Sequence, residues 1–266
     1  IFKEKNNSTD ISTLNDKVKL FQITNVTSYI IKAIKNNRCV KIVTENIKNA
    51  DEIINTLEEI FNTSDNKNSN KLCSGNIQNK IKNYEKIDYT KVKEDLLSLN
   101  ELKTKYSCIK TVEAEFSHAE ICKVITNELN NCDMEDETYL NSYGASITVE
   151  KNNQTRVLYI GFYTKEYSFD EFKEYLLKKL DYLLIKLDST SVETKKYKVL
   201  LANNVVASIL STFSASFQSK GIYLNESVLS DKLNKKIFSD RITIIEDSPN
   251  GILNSNFDSE GTLKKK

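Results

Sequence analysis

Apolar residues recur along this chain at two periods, and each change of period marks a new element. Ile11–Ile23, with its KVKLFQIT phrase, and the runs Ser28–Ile34 and Cys39–Val43 carry Val18, Leu20, Phe21 and other apolar residues between polar breaks such as Asn36-Asn37. Short apolar runs bounded by Asn-rich turns predict short strands. After Asn49 or Asp51 the period becomes helical, with Ile53, Leu57, Ile60 and Phe61 on one stripe. Several strands and then a helix predict a small α+β unit over residues 1–64. Asn62–Asn83 is rich in Asn, Ser and Lys and offers almost nothing to bury, so residues 65–88 read as a polar linker. Its lysines fit a solvated loop better than a phosphate or nucleic-acid site.

The helical period returns at Tyr89, with Val92, Leu96, Leu99 and Leu102 in phase. Strand-like runs follow at Cys108–Phe116 and Ile121–Thr126, then an acidic turn at Asp133–Glu137. A hairpin is predicted from Ala145–Glu150 and Arg156–Tyr163 around Asn152-Asn153. Ser168-Phe169-Asp170-Glu171 has capping-box spacing. The helix it opens runs to about Leu187 and aligns Phe172, Leu176, Leu180, Leu183, Leu184 and Leu187. These elements form a middle unit over residues 89–190. In Lys198–Asp247 a strand at Val199–Leu201 leads to a helix with Val205, Val206, Ile209, Leu210, Phe213 and Phe217 on one face. Asn203 or Asn204 is placed to cap it, and Gly221 to end it in a left-handed conformation. A second helix-like segment (Val228–Phe238) and a strand (Ile242–Ile245) follow. The fold class is α+β, with antiparallel sheets, long packed helices and a strand-rich C-terminal unit over residues 191–266 that is only begun. No repeat at a solenoid period is present.

Composition narrows the function more than the fold. The chain has 266 residues, 39% of them apolar and 28% charged, enough for a sizeable core. A net charge of +1 gives no electrostatic ground for nucleic acid or an anionic membrane as partner. No apolar run approaches the roughly 20 residues that span a bilayer, and with no leader-like stretch before Ile1 in a sequence that starts without Met, a secretory signal is not the expectation. The five cysteines (Cys39, Cys73, Cys108, Cys122, Cys132) are odd in number and none stands as CxxC. A disulfide framework is therefore disfavoured and a reducing cytoplasm is the expected location.

Little self-sufficient catalytic chemistry is visible. His118 is the single histidine, and it lies between two strand-like runs. With Glu115 and Glu120 as its nearest acids in sequence, an exposed turn histidine is expected over a metal ligand. No nucleophile motif accompanies it, and six glycines leave no GxGxxG or phosphate loop. Glu246-Asp247 at a strand end, and Asp258 with Glu260 in a Gly-flanked loop, read as turn formers. These residues describe a binding or assembly module.

Several phrases resemble the TldD/PmbA (TldE) family of bacterial peptide-maturation proteins. Thr194–Leu201 (TKKYKVLL) looks like the family's TG-x-Y-x-V-V-L. Asn234–Asp247 resembles its G-x-x-x-x-S-x-x-L-T-I-x-D-D, and Phe257–Thr262 (FDSEGT) its F-D-x-E-G-T. Asn141-Ser142-Tyr143-Gly144 looks like its N-S-x-G, and Lys17–Phe61 is similar to its N-terminal module. The family-motif residues are thus Asn141, Ser142, Gly144, Asp258, Glu260 and Gly261. Lys195 and Asn234 depart from the family's glycines, and family members continue past the position of Lys266, which implies a fragment or a shortened relative.

In the zinc-bearing TldD branch a helix carries HExxxH. The corresponding positions here fall at about Leu210, Ser211 and Ala215, none of which can hold zinc or move a proton. The resemblance therefore implies the non-catalytic PmbA/TldE branch, with no cofactor in this chain. Zinc is expected in a TldD-like partner, and an extended peptide is the expected substrate of the complex. The alternatives are a metallopeptidase with ligands in a missing C-terminal section, and a self-associating scaffold. The family's description as modulator of DNA gyrase finds no basic patch in this sequence to support it.

Overall fold

The structure, a computed structural model, describes residues 1–36, 38–63, 72–81, 86–187, 189–245 and 251–264. Contacts divide the chain into two units, Ile1–Ser189 with Asp247–Lys266, and Thr190–Glu246.

The first unit is organised by one seven-stranded sheet. Its strands are β1 (Phe2–Leu14), β2 (Lys17–Lys35), β3 (Arg38–Thr44), β4 (Gly75–Asn79), β5 (Ile109–Asn127), β6 (Cys132–Lys151) and β7 (Gln154–Thr164). The order is β3-β2-β1-β5-β6-β4, and β7 pairs with β6 beyond the reach of β4. Every pair is antiparallel except β4 with β6. Helices α1 (Ala50–Thr63), α2 (Tyr89–Ser98), α3 (Leu102–Lys105) and α4 (Phe169–Lys186) complete it. Strands and helices thus share one α+β layer structure.

Alternation on these strands decides which face is covered. Ile11, Phe116 and Tyr143 are cross-strand neighbours, and with Ile147, Val149 and Val112 they form a face under α2 and α4. Those helices supply Val92, Leu96, Phe172, Leu176 and Leu180, all at most 1% exposed. Tyr143 stacks on Phe172 at 5.0 Å between ring centroids. On the opposite face Phe2, Ile125, Met134 and Phe257 make a smaller core.

Several sequence expectations change in length rather than in kind. The runs Lys17–Thr24 and Ser28–Ile34 are one continuous strand, β2, and Cys108–Phe116 and Ile121–Thr126 are one strand, β5. Ser117-His118-Ala119 contains no Gly, Pro, Asn or Asp, and its register against β1 runs unbroken through Thr9↔His118. The acidic segment Asp133–Glu137 is strand, not turn; the chain reverses earlier, at Asn131 with φ 48°. Asp136 explains how acid is tolerated there. It is 3% exposed, and its carboxylate accepts from Asn79 Nδ2, Asn256 Nδ2 and the Asn256 amide at 2.7–2.8 Å. Within the expected linker, 65–71 and 82–85 lie outside the described residues, while Gly75–Asn79 is strand β4 with Ile77 against the smaller core. The helix after Ser168 begins as expected, but the Ser168 hydroxyl makes no cap bond.

The second unit holds α5 (Asn203–Thr212), a 3-10 turn (Ser214–Phe217) and α6 (Ser219–Tyr223). The strands expected at Val199–Leu201 and Ile242–Ile245 and the helix at Val228–Phe238 are absent there: residues 199–201 and 242–245 meet no strand partner among the described residues, and an unpaired ladder is unsatisfied backbone. The expected continuous helix breaks at Phe213. Ala202 rather than Asn203 or Asn204 holds the N-cap position, without a side-chain bond. Gly221 lies inside α6, and the left-handed residue after it is Asn225, φ 61°. Glu246-Asp247 lie outside the described residues. Among the described residues no helix is long and apolar enough to cross a membrane.

Candidate functional site

Three places gather the residues that sequence singled out. The first is α5 and the turn after it. Leu210 and Ser211 are on the last turn of α5, and Ala215 follows on the 3-10 turn. Leu210 is half-buried, whereas Ser211 and Ala215 are exposed. The Ser211 hydroxyl donates to the Ser208 carbonyl at 2.9 Å, which ties it to its own helix. Residues 194–266 contain neither histidine nor cysteine, so the nitrogen and sulfur donors that zinc favours are missing from the whole segment.

The second place is a polar knot in the middle of the sheet. β5 and β6 put His118 opposite Asn141, continuing the face that holds Phe116 and Tyr143. His118 is 5% exposed, not an exposed turn residue. Its Nδ1 lies 2.6 Å from Asn141 Oδ1, and its Nε2 lies 3.5 Å from the Glu120 carboxylate. Asn141 Nδ2 donates to the Lys165 carbonyl at 3.0 Å. Lys165 in turn donates to Thr138 Oγ1 at 2.9 Å and to the Tyr139 carbonyl, and burial lowers its ammonium pKa. Asn141 is therefore the link between a buried imidazole and the end of β7. Ser142 is half-buried beside it. Gly144 is where the Glu115 side chain crosses: a Cβ there would sit 2.4 Å from Glu115 Oε1, so that exposed side chain would have to swing aside.

The third place is the FDSEGT turn, packed on the sheet within the first unit. Asp258 Oδ1 accepts the amides of Glu260 and Thr262, each at 2.9 Å, and so pins the turn. Gly261 takes φ 79°, a left-handed value that side chains rarely adopt. Glu260 is held by Lys32 of β2 at 2.5 Å and by Lys41 of β3. Burial opposes its ionisation, but the two ammonium groups outweigh burial and keep its carboxyl below the usual range. Beside the turn a cleft of about 420 Å³ opens between Ile1, Phe2, Ile30, Cys73 and Leu129. Sequence reading missed Lys32, Lys41 and Cys73. No local pattern marks them, because they meet Glu260 and Gly261 only through strand register.

One more feature is set by register. β3 pairs with β2 only over Tyr29–Lys35. The outer edge of Lys17–Ser28 has no strand beside it among the described residues, and Val18, Leu20, Phe21, Ile23 and Val26 along it are 40–62% exposed.

Residues 194–266 match the PmbA/TldA metallopeptidase C-terminal domain. No curated protein sequence matches the chain significantly. Its fold is similar to a Thermotoga maritima protein described as a "putative modulator of a DNA gyrase", with TM-score 0.82 and 15% identity over 99% of this chain and 62% of that one. A Bacteroides thetaiotaomicron protein of the same description gives 0.76 at 17% identity, over 99% of this chain and 63% of that one. TldE from Thermococcus kodakarensis gives 0.70 at 15% identity, over 99% and 62%. The chain thus spans under two thirds of the length of these structures. Residues 194–266 thus resemble the PmbA/TldA metallopeptidase C-terminal domain in sequence, and the whole chain shares the fold of these structures.

Proposed function

We propose that this chain is a non-catalytic subunit of a zinc metalloprotease complex that matures or degrades peptides. The observation that carries this reading is α5 with its following turn. The segment matches a metallopeptidase domain, and on the resemblance of its phrases to the TldD/PmbA family the positions where zinc-bearing relatives carry HExxxH fall near Leu210, Ser211 and Ala215. An aliphatic group, a hydroxyl turned onto its own helix and a methyl offer neither a zinc ligand nor a general base. Zinc then belongs to a TldD-like partner, and this chain contributes walls and edges. The open side of β2 over Lys17–Ser28 suits that task, because an extended peptide can add to an unpaired edge by main-chain bonding while apolar side chains select among sequences. A cytoplasmic location completes the proposal.

The test is metal content and peptidase activity of the purified full chain, alone and mixed with an HExxxH-bearing relative. The reading expects less than about 0.1 zinc per chain and no peptide cleavage alone, since four good donors are needed to hold the ion. It expects cleavage only in the mixture. Stoichiometric zinc with cleavage by the chain alone would overturn it.

A further inference from the structure

Cys73 and Cys132 bring their sulfurs to 3.0 Å from one another within the first unit. The approach has an architectural cause. β4 runs parallel to β6 with Gly75 opposite Cys132, so the chain leading into β4 delivers Cys73 to the first residue of β6. Gly261 holds it from behind: a Cβ at that position would lie 2.4 Å from Cys73 Cβ and 3.0 Å from its sulfur. Both thiols are free. Closing from contact to the bonded distance of roughly 2.05 Å asks for a shift of about 1 Å, within the range of a side-chain rotation.

The two sulfurs differ in access. Cys132 is 4% exposed, whereas Cys73 is half-buried and lines the cleft beside Ile1 and Phe2. We propose that Cys73 and Cys132 form a reversible disulfide, with Cys73 taking the first attack on a small-molecule disulfide of the glutathione type. In the first step the Cys73 thiolate attacks one sulfur of the small disulfide. A Cys73–glutathione mixed disulfide forms, one glutathione thiolate leaves, and that thiolate takes up the proton Cys73 had given to solvent. In the second step the Cys132 sulfur attacks Cys73 and loses its proton, and the second glutathione leaves as its thiol. Two protein thiols are oxidised by two electrons and one small disulfide is reduced to two thiols. Burial, followed by the hydrogen bond with Cys73, pushes the Cys132 thiol up to about 12, which suits it to the second step rather than the first. The bond ties the approach to β4 onto β6, next to the turn that carries Glu260.

The experiment is incubation of the full reduced chain with glutathione disulfide near neutral pH, followed by alkylation, intact mass and peptide mapping. The expected result is a loss of about 2 Da, the two hydrogens removed, and one Cys73–Cys132 cross-linked peptide that dithiothreitol releases. Cys132→Ser should instead trap glutathione on Cys73, and Cys73→Ser should give neither product. A variant with Cys39, Cys108 and Cys122 all changed to Ser should still lose the same mass. The peptide map of the unmodified sequence stands whether or not these variants fold. An unchanged mass, a stable mixed disulfide on the wild-type chain, or a map joining any other pair would overturn the proposal.

Discussion

Helices α4 and α5 carry the same kind of apolar stripe and meet opposite fates. On α4, Phe172, Leu176, Leu180 and Leu183 are 0–7% exposed against β5, β6 and β7. On α5 and its C-cap, Val205, Val206, Ile209 and Phe213 are 39–55% exposed, and no residue of α5 is buried. Helical spacing states which face of a helix is apolar; it does not state what covers that face. In the first unit the sheet is the cover. Within Thr190–Glu246 no strand exists among the described residues to play that part. The difference locates folding energy in the first unit and leaves the second with surface that its own residues do not satisfy.

The sharpest way to break this contrast is Phe172→Ala. The ring is fully buried and stacks on Tyr143. Its loss should cost about 3–5 kcal/mol, read as a fall in the denaturant midpoint. A loss below about 1 kcal/mol would mean that α4 does not share the sheet's core in solution. Gly261→Ala comes next. It forces a left-handed φ on alanine and drives a methyl into Cys73, and the two effects together should cost roughly 2–4 kcal/mol. An Ala variant as stable as the parent would show that the FDSEGT turn is not docked on the sheet.

Sequence carried most of the helices and little of the site. The stripes at Ile53–Phe61, Val92–Leu102 and Phe172–Leu187 are helical where expected, because 3.6-residue spacing is a local property. The Asn152-Asn153 hairpin was legible for the same reason, both residues having positive φ. Strand length was not legible. β2 and β5 pass through polar stretches such as Asn25-Val26-Thr27 and Ser117-His118-Ala119, whose neighbours on β1 satisfy the backbone. His118 was misread as exposed for that reason; its burial depends on Asn141, which sequence proximity cannot reveal. Likewise the FDSEGT phrase was visible, but Lys32 and Lys41, which hold its glutamate, come from strands more than 200 residues away along the chain.

Glu260→Gln probes that distant clamp with a smaller effect. The glutamate is about one-third exposed, so solvent screens both ion pairs, and at neutral pH the loss should be under about 1 kcal/mol. Its pH dependence is the sharper reading. The folded carboxyl titrates below its ordinary value, so the wild-type advantage is complete above the unfolded glutamate pKa of about 4.3. That advantage must vanish as pH falls through the lower folded value. Urea midpoints of wild type and Gln variant should therefore converge in acid and separate at neutral pH. A constant offset across that window would show that the clamp is not ionic.

The smallest expected effect tests the other side of the comparison. Ile209 lies on the apolar stripe of α5 yet is 46% exposed. If that face is open in solution, Ile209→Ala removes little buried area, and alanine's better helix propensity offsets part of the loss. The main unfolding transition should then move by less than about 0.5 kcal/mol. The same change at Leu180 of α4, which is fully buried, should cost about 2–5 kcal/mol. The pair of variants separates two explanations of one sequence pattern. Should Ile209→Ala cost as much as Leu180→Ala, and more at higher protein concentration, the α5 stripe is covered by a second chain, and the contrast between the two helices holds only for the isolated chain.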